Sequence, residues 1–263
     1  MRRWSDDGVA GFSSSDVDIR DPVQVNKILT QSQPAWVILA AAYTDVDGCE
    51  SHPDLAFSVN RDGAVNVAEA AGRVGARLMF VSTDYVFDGA RTSSYETDDA
   101  RRPVSLYGRS KAEAEARILE ILPGCCIVRT SWLFGVHGRC FPNTILNLSA
   151  SRSQIDVVDD QRGSPTYSTD LADAIIGLCR LEATGIVHAT NSGDCTWFDF
   201  AQEIVRQAGL PTEVRPTTTE KMARPAKRPA YSVLSPASLH AYGIHMPPWQ
   251  DALRRFLEER KLG

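Results

Sequence analysis

The sequence predicts an α/β fold, a doubly wound parallel sheet with a smaller C-terminal cap, and three observations carry that expectation. Short strand-like segments at 36–42, 77–83 and 126–130 alternate with longer segments of helical pattern, the spacing expected when helices cover both faces of a sheet. The run from Trp36 to Ala42 is apolar throughout and flanked by polar residues, as befits a strand buried on both faces. Beyond residue 131 the alternation loosens into irregular pieces, which read as a cap.

Taken in order, Gly8 to Phe12 is predicted as a short strand. Asp21 then serves as N-cap and Pro22 as the first residue of a helix with Val25, Ile28 and Leu29 on one face. The strand at 36–42 follows, then one long helix from about Pro53 to Arg73, a strand at 77–83, a helix from about Leu106 to Leu122, and a strand at 126–130. Thr196 and Asp199 form a capping box for a helix that ends before Gly209 and Pro211. The segment 215–236, rich in Pro, Arg and Thr, reads as loop. A final helix opened by Pro248 puts Trp249, Ala252, Leu253, Phe256 and Leu257 on one stripe and Arg254, Arg255, Glu258 and Glu259 outward. The expected division is 1–131 for the sheet domain and 132–263 for the remaining sheet elements and the cap.

Composition excludes several classes of function. With 263 residues, 43% hydrophobic and 23% charged, the chain is long enough for a large core. A net charge of −5 with scattered basic residues argues against nucleic-acid and anionic-membrane partners. Six cysteines, at 49, 125, 126, 140, 179 and 195, form no C-x-x-C and no metal-like set with the histidines, so they read as reduced, mostly buried thiols of a cytoplasmic protein, with no metal-ligand residues singled out and metal use left open. The longest apolar run is far short of the roughly 20 residues of a membrane span, and no secretory signal is visible.

The chemistry is concentrated at Tyr107-Gly-Arg-Ser-Lys111 and at the strand end Ser82-Thr83-Asp84-Tyr85. Tyr107 and Lys111 share a helix face, with Cβ atoms about 5–6 Å apart. An ammonium that close is expected to lower the phenol from its ordinary value near 10. Tyr107 then becomes a general acid for a carbonyl oxygen, with the Thr83 hydroxyl as a second donor to the same oxygen. Seven tyrosines and five lysines in 263 positions give about 0.13 chance matches to this spacing, so the strand context matters. The carboxyl ends at Ala40–Tyr43, Ser82–Tyr85 and Thr130–Trp132 fall on one edge of a parallel sheet, where open α/β sheets bind ligands.

Four segments, Ser-Thr-Asp-Tyr-Val-Phe-Asp-Gly (82–89), Tyr-Gly-Arg-Ser-Lys (107–111), Arg-Thr-Ser-Trp-Leu-Phe-Gly (129–135) and Asp-Gln-Arg-Gly-Ser-Pro-Thr (160–166), resemble the dTDP-4-dehydrorhamnose reductase family of extended short-chain dehydrogenases/reductases. The resemblance runs from about residue 8 to the C-terminus. It implies a Rossmann-like sheet and reduction, with NADPH or NADH, of the 4-keto group of a dTDP-6-deoxy-L-hexulose to dTDP-L-rhamnose. By the same resemblance Thr83, Tyr107 and Lys111 are catalytic. Asp18, Ile19, Ala41, Ala42, Tyr43, Asn60 and Ser82 join Tyr107 and Lys111 at the cofactor. Val46, Tyr85, Trp132 and Arg228 join Thr83 and Tyr107 at the dTDP-sugar. Asn60 alternatively reads as a helix-surface amide, Trp132 as a filler between sheet and cap, and Arg228 as a solvated arginine.

One element of the family pattern is not found. No G-x-G-x-x-G or G-x-x-G-x-x-G turn precedes the first strand, although such a turn aims backbone N–H groups at a pyrophosphate. The expectation is therefore that the first βα unit is missing, through a misassigned start or a defective or noncatalytic chain, and that the polypeptide as given binds NAD(P)H weakly or not at all. Phe12-Ser13-Ser14-Ser15 offers neither an acid nor an arginine to select between the two cofactors. Two competing readings stay open: a non-catalytic regulatory or binding subunit of the same fold, and a reductase or epimerase of another nucleotide sugar. The oligomeric state is open, a homodimer included.

Overall fold

The structure, a computed structural model, describes residues 8–262. The chain packs as two compact units: Met1–Phe87, Ala100–Arg129 and Ile175–Val187 make the first, and Asp88–Asp99, Thr130–Ala174 and His188–Gly263 the second. By packing, the units are interleaved along the chain rather than cut once.

The first unit holds the α/β sheet. Strands β1 (Trp36–Leu39), β2 (Arg77–Thr83), β3 (Cys126–Thr130) and Gly185–His188 stand side by side in that order. β1 and β2 are parallel, with Trp36 opposite Arg77 and Leu39 opposite Phe80. Every residue of the inner strand β3 is buried. Helix α1 (Pro22–Ser32) starts as the sequence predicts: the Asp21 carboxylate accepts from the backbone N–H groups of Val23 and Gln24, and Pro22 takes the first turn. It buries Val25 and Leu29 against Leu78, Phe80 and Ile118 in one apolar cluster.

Three expectations for this unit are corrected. Gly8 to Phe12 forms no strand; among the described residues no neighbouring strand supplies hydrogen bonds, and Val9 and Phe12 are exposed. The run 36–42 is a strand for only four residues and is not covered on both faces. Trp36 and Val37 are half-buried, Ile38 is 39% exposed, and only Leu39 is buried, because among the described residues β1 lies at the edge of the sheet. The long helix at 53–73 is broken into α3 (Pro53–Phe57), a π-helical turn Ser58–Gly63 and α4 (Ala64–Arg73), preceded by a short α2 (Val46–Ser51). The helix α5 (Leu106–Ile121) opens on Ser105, whose hydroxyl accepts from Gly108 N–H at 3.2 Å.

The second unit has its own core, with Phe134, Phe200, Trp249, Leu253 and Phe256 at its centre. The capping box at Thr196 and Asp199 is present, and helix Trp197–Ala208 ends on Gly209 at φ 65°. The loop expected at 215–236 is in part ordered. Glu213–Thr217 pairs in parallel with Gln154–Val158, and Pro216 is tolerated in this exposed strand because an edge position needs no N–H donor there. The terminal helix Trp249–Leu262 buries the predicted stripe, but Arg255 does not face outward. Its guanidinium grips Asp170 through two bonds of 2.7 Å, a fork that matches a carboxylate.

Candidate active site

The strand β2 ends in Ser82 and Thr83, both buried. Thr83 caps the tight turn Asp84–Val86, its hydroxyl accepting from Tyr85 N–H at 3.2 Å and donating to Asp84 Oδ1 at 3.0 Å. The first turn of α5 lies directly on this turn. A Cβ at Gly108 would fall well inside contact distance of the Tyr85 carbonyl oxygen, and 2.9 Å from its carbon. Glycine therefore permits the approach, and it brings Tyr107 edge-on to Tyr85, with ring centroids 5.8 Å apart and planes at 75°. A hydrogen bond links Tyr107 with Thr83.

One helical turn on, Lys111 is buried at 2% exposure. Its Nζ donates to the Val81 carbonyl at 2.8 Å and lies 3.8 Å from the centroid of the Phe80 ring. Burial pushes the ammonium down to about 7, against the pull of the Glu115 carboxylate. The expectation that Lys111 lowers the Tyr107 phenol is corrected. Tyr107 stands well above its ordinary value because its hydroxyl is buried, an effect reinforced by the negative charge of Asp84 and relieved in part by Thr83. Lys111 points to the strand, so burial outweighs charge attraction at the phenol. Near neutral pH Tyr107 is protonated.

Asn60 is no surface amide. It sits in the π-helical turn at 1% exposure, and such turns are frequent at functional sites. Its Oδ1 accepts from Tyr43 N–H at 2.7 Å, while Nδ2 donates to Tyr43 O and to Ser110 Oγ, each at 3.0 Å. One side chain thus ties the end of β1 to α5. Beyond β1, Ala40 and Ala41 are exposed, Ala42 and Tyr43 half-buried, and Val46 opens α2. Burial raises the Cys49 thiol on that helix to about 11, so it is an inert apolar filler.

Asp18 and Ile19 are held in place by α4: Asn66 Nδ2 donates to Ile19 O at 3.1 Å, and Gly63 leaves room for the Ile19 side chain, to which a Cβ would come within 2.7 Å. The Arg20 guanidinium beside Asp18 holds its carboxyl down to about 2.

The sequence reading missed a buried ionic group behind the helix face that carries Tyr107 and Lys111. Glu115, fully buried, pairs with Arg129 of β3, also buried, at 2.7 Å. Ser82 Oγ donates to the same carboxylate at 2.5 Å, so the hydroxyl expected at the cofactor faces α5. The signal was available, since Glu115 stands four residues after Lys111 and eight after Tyr107 on the same helix face.

Trp132 and Arg228 belong to the second unit. Trp132 adopts a left-handed φ of 46° and stacks on Trp197 with centroids 3.5 Å apart and planes 6° from parallel. A Cβ at Gly163 would come within 2.6 Å of the indole, so that glycine leaves the space the ring fills. Arg228 is half-buried and donates to Ala226 O at 2.8 Å. Among the described residues no cluster of three or more His, Cys, Asp or Glu could hold a metal, and no helix is long and apolar enough to cross a membrane.

An α/β sheet with threonine at one strand tip, and tyrosine and lysine one turn apart on the following helix, defines a short-chain dehydrogenase/reductase. The chain belongs to the dTDP-4-dehydrorhamnose reductase family: the family model described as the RmlD substrate binding domain matches residues 2–262. It is 40% identical over 252 residues to the spore coat polysaccharide biosynthesis protein SpsK of Bacillus subtilis, spanning 96% of this chain and 89% of that protein. It is 42% identical over 253 residues to a dTDP-4-dehydrorhamnose reductase of Streptomyces griseus, spanning 93% and 83%. Among solved structures, the dTDP-4-dehydrorhamnose reductase of Bacillus anthracis in complex with NADP is similar at a TM-score of 0.92 and 40% identity, over 94% of this chain and 89% of that one. The orthologue from Clostridium acetobutylicum is similar at a TM-score of 0.96 and 38% identity, over 98% and 92%. This membership makes the chain an oxidoreductase.

Proposed function

We propose that the protein reduces the 4-keto group of dTDP-4-dehydro-6-deoxy-L-hexose to give dTDP-L-rhamnose, with NADPH or NADH, in the cytoplasm. The observation that carries this reading is the grouping of Thr83, Tyr107 and Lys111 at the end of β2. Relatives named for this reaction in Streptomyces griseus and Mycobacterium tuberculosis, at 42% and 41% identity, support it.

The strand ends fit a nicotinamide nucleotide: the exposed Ala41 offers only a methyl group, and Lys111 keeps its ammonium beside the β2 backbone. Asp18, Ile19, Ala41, Ala42, Tyr43, Asn60 and Lys111 would hold it. When bound, the reduced nicotinamide supplies the hydride. The protein's own residues supply the proton and the field. Tyr107, protonated near neutral pH, donates a hydrogen bond and then its proton to the keto oxygen; the Thr83 hydroxyl, whose one proton is on Asp84 in the structure, would turn it to that oxygen as a second bond. Both interactions strengthen as the oxygen gains charge, which is how preorganised donors lower a barrier. Lys111, one helical turn away with its Nζ on the Val81 carbonyl, would offset the developing phenolate with an opposite charge. Val46, Tyr85, Trp132 and Arg228 would contact the sugar nucleotide, with the dinucleotide-binding part in 1–131 and the remaining sheet elements and substrate-binding cap in 132–263.

A second reading concerns the product alone. A relative from Streptomyces antibioticus, 40% identical, is named a probable dTDP-4,6-dihydroxy-2-methyloxan-3-one 4-ketoreductase, so the same chemistry on another dTDP-keto sugar is the alternative. The test is consumption of NADPH with dTDP-4-dehydro-6-deoxy-L-hexose, with the product sugar identified by NMR. Tyr107→Phe should lower turnover by about 10²-fold or more. Turnover undiminished in that variant would refute the assignment, and retained partner binding without any turnover in the unaltered protein would favour a regulatory subunit.

A further inference from the structure

We propose that Glu115 is a positioning residue for the Tyr107–Lys111 pair: its buried carboxylate is the fixed negative charge that holds Lys111 as an ammonium and locks α5 to the ends of β2 and β3. The proposal rests on the catalytic reading of Tyr107 and Lys111 given above.

The geometry is that of a hub. Glu115 Oε1 accepts from Ser82 Oγ at 2.5 Å and from Arg129 Nε at 3.0 Å, and Oε2 accepts from Arg129 Nη2 at 2.7 Å and Arg101 Nη1 at 3.3 Å. Each of these partners is a donor, so both oxygens of the carboxylate are held as acceptors. Ser82 adjoins Val81, whose carbonyl receives Lys111 Nζ at 2.8 Å, and Thr83, which bonds Tyr107. Arg129 is braced on its other side by the Phe87 ring, 5.0 Å from its guanidinium carbon. The carboxylate therefore reaches the catalytic pair through one residue of backbone and through space along one helix face.

Several other charged or titratable groups surround the pair. Tyr85 and Asp84 follow β2, Cys49 and Glu50 lie on α2, Arg129 lies on β3, and Arg101 precedes α5. Asp84 and Cys49 act on Tyr107, Glu50 accepts from Leu106 N–H at 2.8 Å, and Glu115 is the charge that opposes loss of the Lys111 proton.

Lys111 is a convenient reporter, being the buried member of five lysines whose other members, Lys27, Lys221, Lys227 and Lys261, are exposed. The test is an NMR pH titration of the full chain with labelled lysine Nζ and Cε, assigned with Lys111→Met. Glu115→Gln keeps a side chain of the same shape and removes the charge, and it should move the Lys111 midpoint down by about one pH unit. If turnover is measured, the alkaline limb of its pH profile should move down by the same amount. A folded Glu115→Gln protein with an unmoved Lys111 midpoint overturns the proposal and leaves Glu115 a packing clamp.

If that variant does not fold, Arg101→Gln decides. Arg101 is partly exposed, and its removal frees carboxylate charge, so the midpoint should rise; no rise overturns the proposal. The two readings fail separately. An inactive unaltered protein whose Lys111 still responds to Glu115→Gln sinks the proposed reaction and not the coupling, whereas active protein with an unresponsive Lys111 does the reverse.

Discussion

Replacing Gly108 by alanine puts a methyl group where the Tyr85 carbonyl already stands. The added Cβ would also lie 2.9 Å from the Tyr85 carbonyl carbon and 3.1 Å from Pro103 Cβ, and real Cβ contacts essentially never close below 3.0 Å. The turn and the helix must separate by about 1 Å, and a misplacement of that size costs on the order of 10²-fold in rate. The stability change is smaller. Overpacking costs about 1–3 kcal/mol, and alanine regains about 1 kcal/mol of helix propensity, leaving a net loss of about 0–2 kcal/mol. A control is Gly72→Ala in α4, where the new Cβ meets only Leu122 Cδ1 at 3.7 Å; it should stabilise the protein by up to about 1 kcal/mol and leave rate unchanged. Steady-state reduction of the keto sugar, with urea unfolding of both variants, checks the pair. Gly108→Ala protein with turnover within about twofold of the parent would refute the claim that this close approach sets the position of Tyr107.

Two further outcomes follow from the same contacts. Lys111 titrates near 7 when folded against 10.5 for its ordinary value. Between these values the unfolded chain binds the extra proton, so stability rises with pH, by at most about 1.4 kcal/mol per unit. Lys111→Met removes this dependence: its stability gain over the parent should be greatest near neutral pH and shrink toward pH of about 10, and a constant difference in urea unfolding across that window would contradict the burial argument. Trp197→Leu removes the partner of the Trp132 stack, costing about 1 kcal/mol beyond lost area. The paired indole signal in near-ultraviolet circular dichroism should vanish, and an unchanged spectrum would show that the two rings do not stack in solution.

Much of the fold was legible because its cues are local. Asp21-Pro22 and Thr196 with Asp199 mark helix starts through side-chain bonds to the next turn, and the stripe from Trp249 to Leu257 follows the helical repeat. The misses are long-range. Nothing within Trp36–Leu39 reveals that its outer side lacks a neighbour among the described residues, since an apolar run looks the same at an edge or in the middle of a sheet. The π-helical turn at Ser58–Gly63 keeps the apolar pattern of a continuous helix on either side, so periodicity alone ran through it. Arg255 occupies an outward-looking position and is drawn in by Asp170, a residue 85 positions away.

At the site, what was legible and what was not divide along the same line. Tyr107 and Lys111 are one turn apart in any helix, so their neighbourhood follows from spacing. Their protonation does not, because it depends on what covers them. The spacing argument treats the pair as if solvated, with the ammonium lowering the phenol. In the structure both groups lie at the buried end of β2, where desolvation raises Tyr107 and lowers Lys111. Each shift favours its neutral form, and a neutral lysine would give the phenolate no counter-charge. The helix places a negative charge at the next turn in Glu115, which opposes loss of the Lys111 proton; its pairing with Arg129 lets that charge be buried while offsetting part of its field. The Tyr107–Lys111 spacing suggests the proposed chemistry, and the third residue of the same stripe, Glu115, is the one that couples that pair to the buried ends of β2 and β3.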